Sequence, residues 1–127
     1  MVRAEDGYLE AWKDEQRIFY LYSPSVEKRE DYGTDYLVGW LKTVILTTEA
    51  PIDGKVPHHT MELWAFNKDS RQVQLLQGAL YDKDDKVILS EKIPFSTLMW
   101  VDCVPNSPDE ALWRIVTDTY KEKTKHK

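Results

Sequence analysis

The sequence predicts an α+β fold, a five- to six-stranded antiparallel β-sheet meander packed by one C-terminal α-helix. Three observations predict it. Apolar, β-branched and aromatic residues recur in short runs with period two. Clusters of Asn, Asp, Lys and Ser separate those runs. A helix start with an amphipathic stripe behind it stands near the C-terminus. Strand following strand through tight turns means hairpins rather than βαβ units.

Residues 4–17 read as a short helix or a loose arm, with Asp6 as its cap and Leu9, Trp12 and Lys13 on one side. Ile18-Phe19-Tyr20-Leu21-Tyr22 is a β-rich run that Ser23-Pro24 should end. Residues 23–35 and 49–57 are the most linker-like stretches, each too short to divide domains, and read as loops. Residues 36–48 form a long strand with Val38, Trp40, Val44 and Leu46 on one face and Leu37, Leu41 and Ile45 on the other. Apolar residues on both faces predict a central strand covered from both sides. Residues 60–66 alternate, Asn67-Lys68-Asp69-Ser70 reads as a hairpin turn, and residues 72–81 return as a strand. Asp82-Lys83-Asp84-Asp85 is the next turn, followed by strands over 86–91 and 98–102.

The last element carries the clearest signal. Ser107-Pro108-Asp109-Glu110 reads as a capping box, with Ser107 accepting from the backbone of Glu110 and Glu110 reaching back. Proline suits the first helical position, and the two acids suit the positive end of the helix. Leu112, Ile115, Val116 and Thr119 then fall on one stripe, flanked by Trp113 and Tyr120. The domain organisation is an N-terminal arm or short helix over 1–17, a single α+β domain over 18–122, and a basic tail over 123–127.

Composition narrows the function classes. A chain of 127 residues, 42% hydrophobic and 12% aromatic, has too much apolar material to stay disordered. The net charge of −5 argues against nucleic acid, whose recognition rests on basic patches. Bases gather only at 121–127, where lysines complement a helix C-terminus. No apolar run is long enough for a transmembrane segment, and residues 1–17 are too polar for a secretory signal. Two expectations of location stand: an exported protein, periplasmic or at the cell surface, with its signal peptide absent from this chain, or a cytoplasmic one.

No reaction class stands out. The single Cys103 allows neither an internal disulfide nor a cysteine zinc site, and reads as a small buried hydrophobe or, with a base beside it, a nucleophile. The histidines are His58, His59 and His126; adjacent residues on a strand point to opposite faces, so His58 and His59 are poor co-ligands of a metal unless they lie in a loop. Asp82-Lys83-Asp84-Asp85-Lys86 fails as a calcium loop, because Val87 and Ile93 stand where Gly and Glu are needed. Neither a nucleophile elbow, a P-loop nor a G-x-G-x-x-G occurs. The expectation is therefore no catalytic residue, no metal and no cofactor. The remaining candidates are aromatic: Tyr20, Tyr22, Tyr32 and Tyr36 cluster around the first loop, with Lys28 and Arg29 on a polar rim. They read either as sheet core and edge or as a partner-binding patch, since Tyr is favoured at interfaces.

Several segments together resemble the bacterial surface-adhesin protein E family. Phe19-Tyr20-Leu21-Tyr22-Ser23-Pro24-Ser25-Val26 is similar to its opening strand, and Tyr36-Leu37-Val38-Gly39-Trp40-Leu41-Lys42 to its tryptophan-centred second strand. Residues 63–76 resemble its paired strands around a polar turn, with Arg71 as the central basic residue. Trp100, and then Val104-Pro105-Asn106-Ser107-Pro108-Asp109-Glu110-Ala111-Leu112-Trp113, resemble its Trp, Pro-x-Ser and acidic helix start. The likeness spans roughly residues 18–118. It implies an exported, curved antiparallel sheet with one helix, binding a host or cell-envelope macromolecule. Where the family often carries two cysteines this chain has Asn67 and Thr117, which removes the implied disulfide, and no lipid-attachment cysteine stands near the start. The expected function is thus a non-enzymatic, adhesin-like binding module with a protein or cell-envelope partner. The alternative is a structural homo-oligomer joined through an aromatic face or an edge strand.

Overall fold

Leu37 and Val38 are neighbours on one strand and point to opposite faces, yet each is only 1% exposed. In the computed structural model, which describes residues 3–5 and 7–125, this strand lies inside an antiparallel sheet covered by a helix on one side and by a loop on the other. The strands are β1 (Arg3–Glu5), β2 (Tyr8–Lys13), β3 (Arg17–Asp31), β4 (Thr34–Ile45), β5 (His59–Phe66), β6 (Gln72–Tyr81), β7 (Val87–Lys92) and β8 (Val101–Asp102), followed by α1 (Pro108–Lys125). The first seven pair in chain order, and β8 returns to pair with β6 at Gln72 and Val73. The fold is the α+β meander with a C-terminal helix that the sequence predicts.

Several local readings are corrected, among them the strand over 98–102, of which only Val101–Asp102 is strand. Residues 8–13, read as part of a helix or arm, are an edge strand. The register slips between Glu10 and Trp12, so Leu9, Ala11 and Trp12 all reach the helix-side core. That bulge mimics a helical spacing of apolar residues. Gly7 makes the turn before β2 at φ +87°, and a Cβ there would meet Pro24 and Tyr22 at 3.0 Å. Asp6, read as a cap, lies outside the described residues.

Ser23-Pro24 does not end β3, which runs on to Asp31 and turns through Tyr32 and Gly33, both at positive φ. The register shift between Tyr22 and Glu27 accommodates the proline. Ser25 bridges the interruption: its hydroxyl donates to the Tyr22 carbonyl at 2.6 Å and accepts from the Trp40 N–H at 2.8 Å. The capping box does not form as expected. Glu110 reaches back to the Asn106 N–H at 3.3 Å, but the Ser107 hydroxyl turns away to the Val104 carbonyl at 2.6 Å.

The helix buries Leu112, Ile115, Val116 and Thr117 over β2 to β4 and reaches β6. Both its ends are tied down. Near its start, the Trp113 indole donates to the Asn67 carbonyl at 2.7 Å and Arg71 pairs with Glu110 at 3.2 Å. Near its end, the Lys123 ammonium donates to the carbonyls of Pro24 and Val26 at 3.1 and 2.9 Å. Residues 123–125, read as tail, therefore belong to the helix and hold it down. The Thr117 hydroxyl donates to the Trp113 carbonyl at 2.9 Å, so Trp113 links the two neighbourhoods where the resembled family often has cysteines.

On the opposite face, residues 93–100 fold back over β4 to β6. Phe95 stacks on Tyr36 with ring centroids 4.1 Å apart, and Trp100 meets both rings edge-on. The buried Gln74 side chain pins this strap, donating to the Ser96 carbonyl at 3.0 Å and accepting its N–H at 3.3 Å. Because α1 is stabilised by what it buries, Leu112→Ala is expected to cost about 2–5 kcal/mol in urea unfolding. Leu46→Ala, at a site 47% exposed, should cost within about 0.5 kcal/mol.

Candidate functional site

The helix covers only one end of its face of the sheet. Cross-strand pairing places Arg17 beside Ile45, Phe19 beside Thr43, Thr43 beside Thr60, and Glu62 beside Gly78, all on that same face. All but Gly78 of these positions line a cleft of about 940 Å³ beside the N-terminus of α1. Its floor is Phe19, Thr43, Ile45, Thr60, Glu62 and Trp64, and Pro108 and Asp109 border it at the helix start. A second cleft of about 360 Å³ shares Thr60 and Glu62 and extends over Gly78 to Leu80, Leu89 and Glu91.

Glu62 is the singular group in this floor. The Trp64 indole N–H donates to its carboxylate at 3.2 Å. Burial raises its pKa, the indole bond opposes that, the Glu91 charge raises it further, and Arg17 lowers it. Gly78 makes room for it: a Cβ at that position would stand 3.3 Å from Glu62 Cγ. The hydroxyl of Thr60, two residues along on the same face, is buried without a hydrogen-bond partner among the described residues. Arg17 holds its guanidinium 5.0 Å from the Phe19 ring centroid at the rim.

The sequence-predicted residues fall in different places. Tyr20 and Tyr22 lie on the other face of β3, where Tyr22 packs against Tyr8 at 5.1 Å. Arg29, Tyr32 and Tyr36 border one cleft of about 430 Å³ near the β3–β4 turn. Tyr32 is 85% exposed at that turn. Tyr36 is a core residue and not a contact surface: it is 1% exposed, stacked on Phe95, and its hydroxyl donates to the Asp31 carboxylate. Burial, with that acid beside it, pushes the phenol up to about 12. Lys28 sits on the helix side, 3.9 Å from Asp35 and in a groove with Tyr120 and Lys123. The six residues therefore form no single patch.

The two histidines do meet, because His58 precedes the first residue of β5 and is free of the strand's alternation. Their Nδ1 atoms are 2.8 Å apart. His59 is buried, stacked on Tyr81 at 5.1 Å, with its Nε2 3.1 Å from the Asp85 carboxylate. Its Nε2–H therefore faces Asp85, leaving Nδ1 to accept from His58. Burial lowers the His59 pKa, with the Lys42 and His58 charges acting in the same direction. Both ring nitrogens are engaged, and His59 faces away from the cleft that its neighbour Thr60 borders. The described residues hold no group of three metal-ligating side chains. The Asp82 carboxylate accepts the N–H groups of Asp84 and Lys86, each at 2.9 Å, as a hairpin tip does. Cys103 is half-buried, and burial next to Asp109 and Glu110 pushes its thiol up to about 11.

Sequence reasoning missed Glu62 and Gly78. Glu62 is one acid among 22, but a lone glycine inside a strand signals close approach of another group. No family model, curated protein or solved structure matches the chain. The likeness to the adhesin family rests on its sequence motifs alone.

Glu62 and His59 predict opposite pH effects. The folded chain binds the Glu62 proton more tightly than the unfolded chain, so its stabilising effect is present below the ordinary 4.5 and lost as pH rises through the raised value. Glu62→Gln should therefore melt no lower than the parent at pH 7 by circular dichroism. His59 binds its proton less tightly when folded, so stability is full above the ordinary 6.5 and falls as pH drops through the lowered value. His59→Phe, which keeps a ring on Tyr81, should flatten the fall in melting temperature as pH drops below the ordinary 6.5. An unchanged slope in that variant would remove His59 as the source.

Proposed function

We propose that this chain is a non-enzymatic binding module that takes its partner on the open half of the helix-side sheet face. The observation that carries the reading is the incomplete cover on that face. Ile45 and Trp64 sit part-exposed in a cleft floor beyond the helix, with Phe19 buried beneath and a carboxylate among them. A sizeable concave surface of apolar and aromatic groups with a few placed polar ones is what binding sites have in common. The polar groups nearby favour binding over reaction. The Cys103 thiol is pushed away from the thiolate form that a nucleophile needs. His59 is buried on the other side of the sheet with both nitrogens engaged.

The resemblance in sequence supports a partner that is a host or cell-envelope macromolecule, and with it export to the periplasm or cell surface. A signal sequence encoded directly upstream would support that location. Capture assays against purified extracellular-matrix proteins and cell-envelope fractions test the reading. Ile45→Arg, placed in the cleft floor, should keep the fold and weaken the captured partner at least about tenfold. Tyr32→Ser, at the distant hairpin turn, should leave it unchanged. Loss in Tyr32→Ser with retention in Ile45→Arg would move the site to the hairpin, and no partner in either screen would count heavily against a binding role.

A second reading, a homo-oligomer, has one observation of its own. Leu98, Met99, Val101 and Val104 are all more than half exposed on the segment that carries β8. Exposed apolar groups along a sheet edge invite pairing with another copy. A monomer by light scattering at millimolar concentration would remove this reading.

A further inference from the structure

His58 and His59 meet through like atoms. Their Nδ1 atoms are 2.8 Å apart, and only one hydrogen fits between two ring nitrogens at that distance. With the His59 Nε2–H on Asp85, His59 accepts at Nδ1 and His58 donates. A first added proton goes to Nε2 of His58, which is exposed, and leaves the contact intact. A second must go to Nδ1 of His59, and two N–H groups then point at each other. Burial, the Lys42 charge on β4 and the His58 charge oppose that second proton, while Asp85 and Asp82 on the turn after β6 favour it. Lys55 acts in turn on Asp82, and Tyr81 on β6 stacks on the His59 ring. His59 is fixed by pairing with Val44 and Tyr81 on the neighbouring strands, so His58 is the ring that must move.

His58 closes the connection between β4 and β5. Among the described residues, 47–57 hydrogen-bond only with one another, Thr47 with Glu49 and Ile52 with Lys55. The connection is tied to the sheet at its two ends. At the first, the Leu46 N–H donates to the Gln16 carbonyl at 2.8 Å. At the second, the His58 N–H donates to the Tyr81 carbonyl, and the His58 carbonyl accepts from the Ile45 N–H, each at 2.9 Å. Thr47 and Glu49 border the larger cleft. We infer that the histidine pair is a proton-operated latch on this connection, closed while the rings share one hydrogen and open when both rings are charged, so that acid frees the rim of the cleft. Histidine is the side chain suited to such a switch. The inference supplies a regulation of the binding-module reading and rests on it.

The full chain, ¹⁵N-labelled, is titrated from about pH 8 to about pH 4.5 while NMR reads its imidazole nitrogens and backbone amides. At the alkaline end His58 should be the Nδ1–H tautomer and His59 the Nε2–H tautomer, although a free neutral histidine prefers Nε2–H. The first proton should appear on His58 with the amides unchanged. As His59 takes the second, the protection of the Ile45 and His58 amides against hydrogen exchange should fall at least about tenfold, while that of Val116 in the helix holds. His58→Ala, which has no latch, should leave those two amides poorly protected at every pH. His58→Asn never charges, and by turning its carboxamide it can donate to a neutral His59 or accept from a charged one, so it should keep them protected throughout. Either variant carries the test alone if the other does not fold. An Nε2–H tautomer at His58 at the alkaline end, a His59 that stays neutral throughout, or a doubly charged pair with both amides still protected would overturn the inference. Equal loss of protection at Val116 would do so too, since the whole fold would then be opening. The parent reading fails separately, if partner capture at the alkaline end, where the latch is closed, is insensitive to Ile45→Arg.

Discussion

Strand β4 has no polar face. Leu37 and Leu41 point one way, Tyr36 and Val38 the other, and all four are only 1% exposed. A strand of this kind is stable only when both sides of the sheet are covered. The chain supplies two covers of different kinds. One is an 18-residue helix held at both ends, by Trp113 and Glu110 near its start and by Lys123 near its finish. The other is the strap over residues 93–100, held by the paired bonds between Gln74 and Ser96. Everything else in the molecule is positioned by how far these two covers reach.

The helix reaches only part of its face. Where it passes over β4, Gly39 gives the space: a Cβ there would lie 3.0 Å from Leu21 and 3.6 Å from Val116. Further along the same strand and face come Thr43 and Ile45, which border the open cleft instead. A helix rises about 1.5 Å per residue, and with both ends anchored it cannot slide to cover more. The bare half of the sheet is thus a geometric consequence of the anchors, and its residues are mixed where the covered half is uniformly apolar. Thr43, Thr60 and Glu62 alternate with Phe19, Ile45 and Trp64 in one floor.

What was legible in the sequence follows the same division. Alternation in residues 36–48 and 60–66, the Asn67 and Asp82 turns, and Pro108 with its acidic neighbours carry local information, and each element stands where that information places it. Bulges are not local in this sense. The slip between Glu10 and Trp12 turns a strand into an apparent helical stripe, and the one between Tyr22 and Glu27 carries β3 through a proline that should stop it. The candidate site is less legible still. Tyr36 looks like its neighbour Tyr32, but one lies under Phe95 and the other in solvent, a difference set by the strap. Glu62 acquires meaning only when register places Gly78 and then Glu91 beside it, which no spacing along the chain encodes.

Glu62 also breaks the pattern of its own strand. On the helix-side face of β5 it lies between Thr60 and Trp64, where a threonine or valine would suit the sheet without leaving a desolvated charge. Local choices in a folded chain mostly agree with one another, and the positions that disagree tend to be those that serve something other than stability. Gly78 compounds the departure, since a glycine inside a strand weakens it and leaves no side chain to pack. Each residue alone is a small liability. Together, with Glu91 on the third strand, they form a recess lined by acceptors and floored by backbone, on the half of the sheet that the helix cannot reach. A single unfavourable residue is readily explained by neutral drift around a stability threshold. Glu62 and Gly78, paired across β5 and β6, are two such departures at one place, and both lie on the half of the face that the helix does not reach.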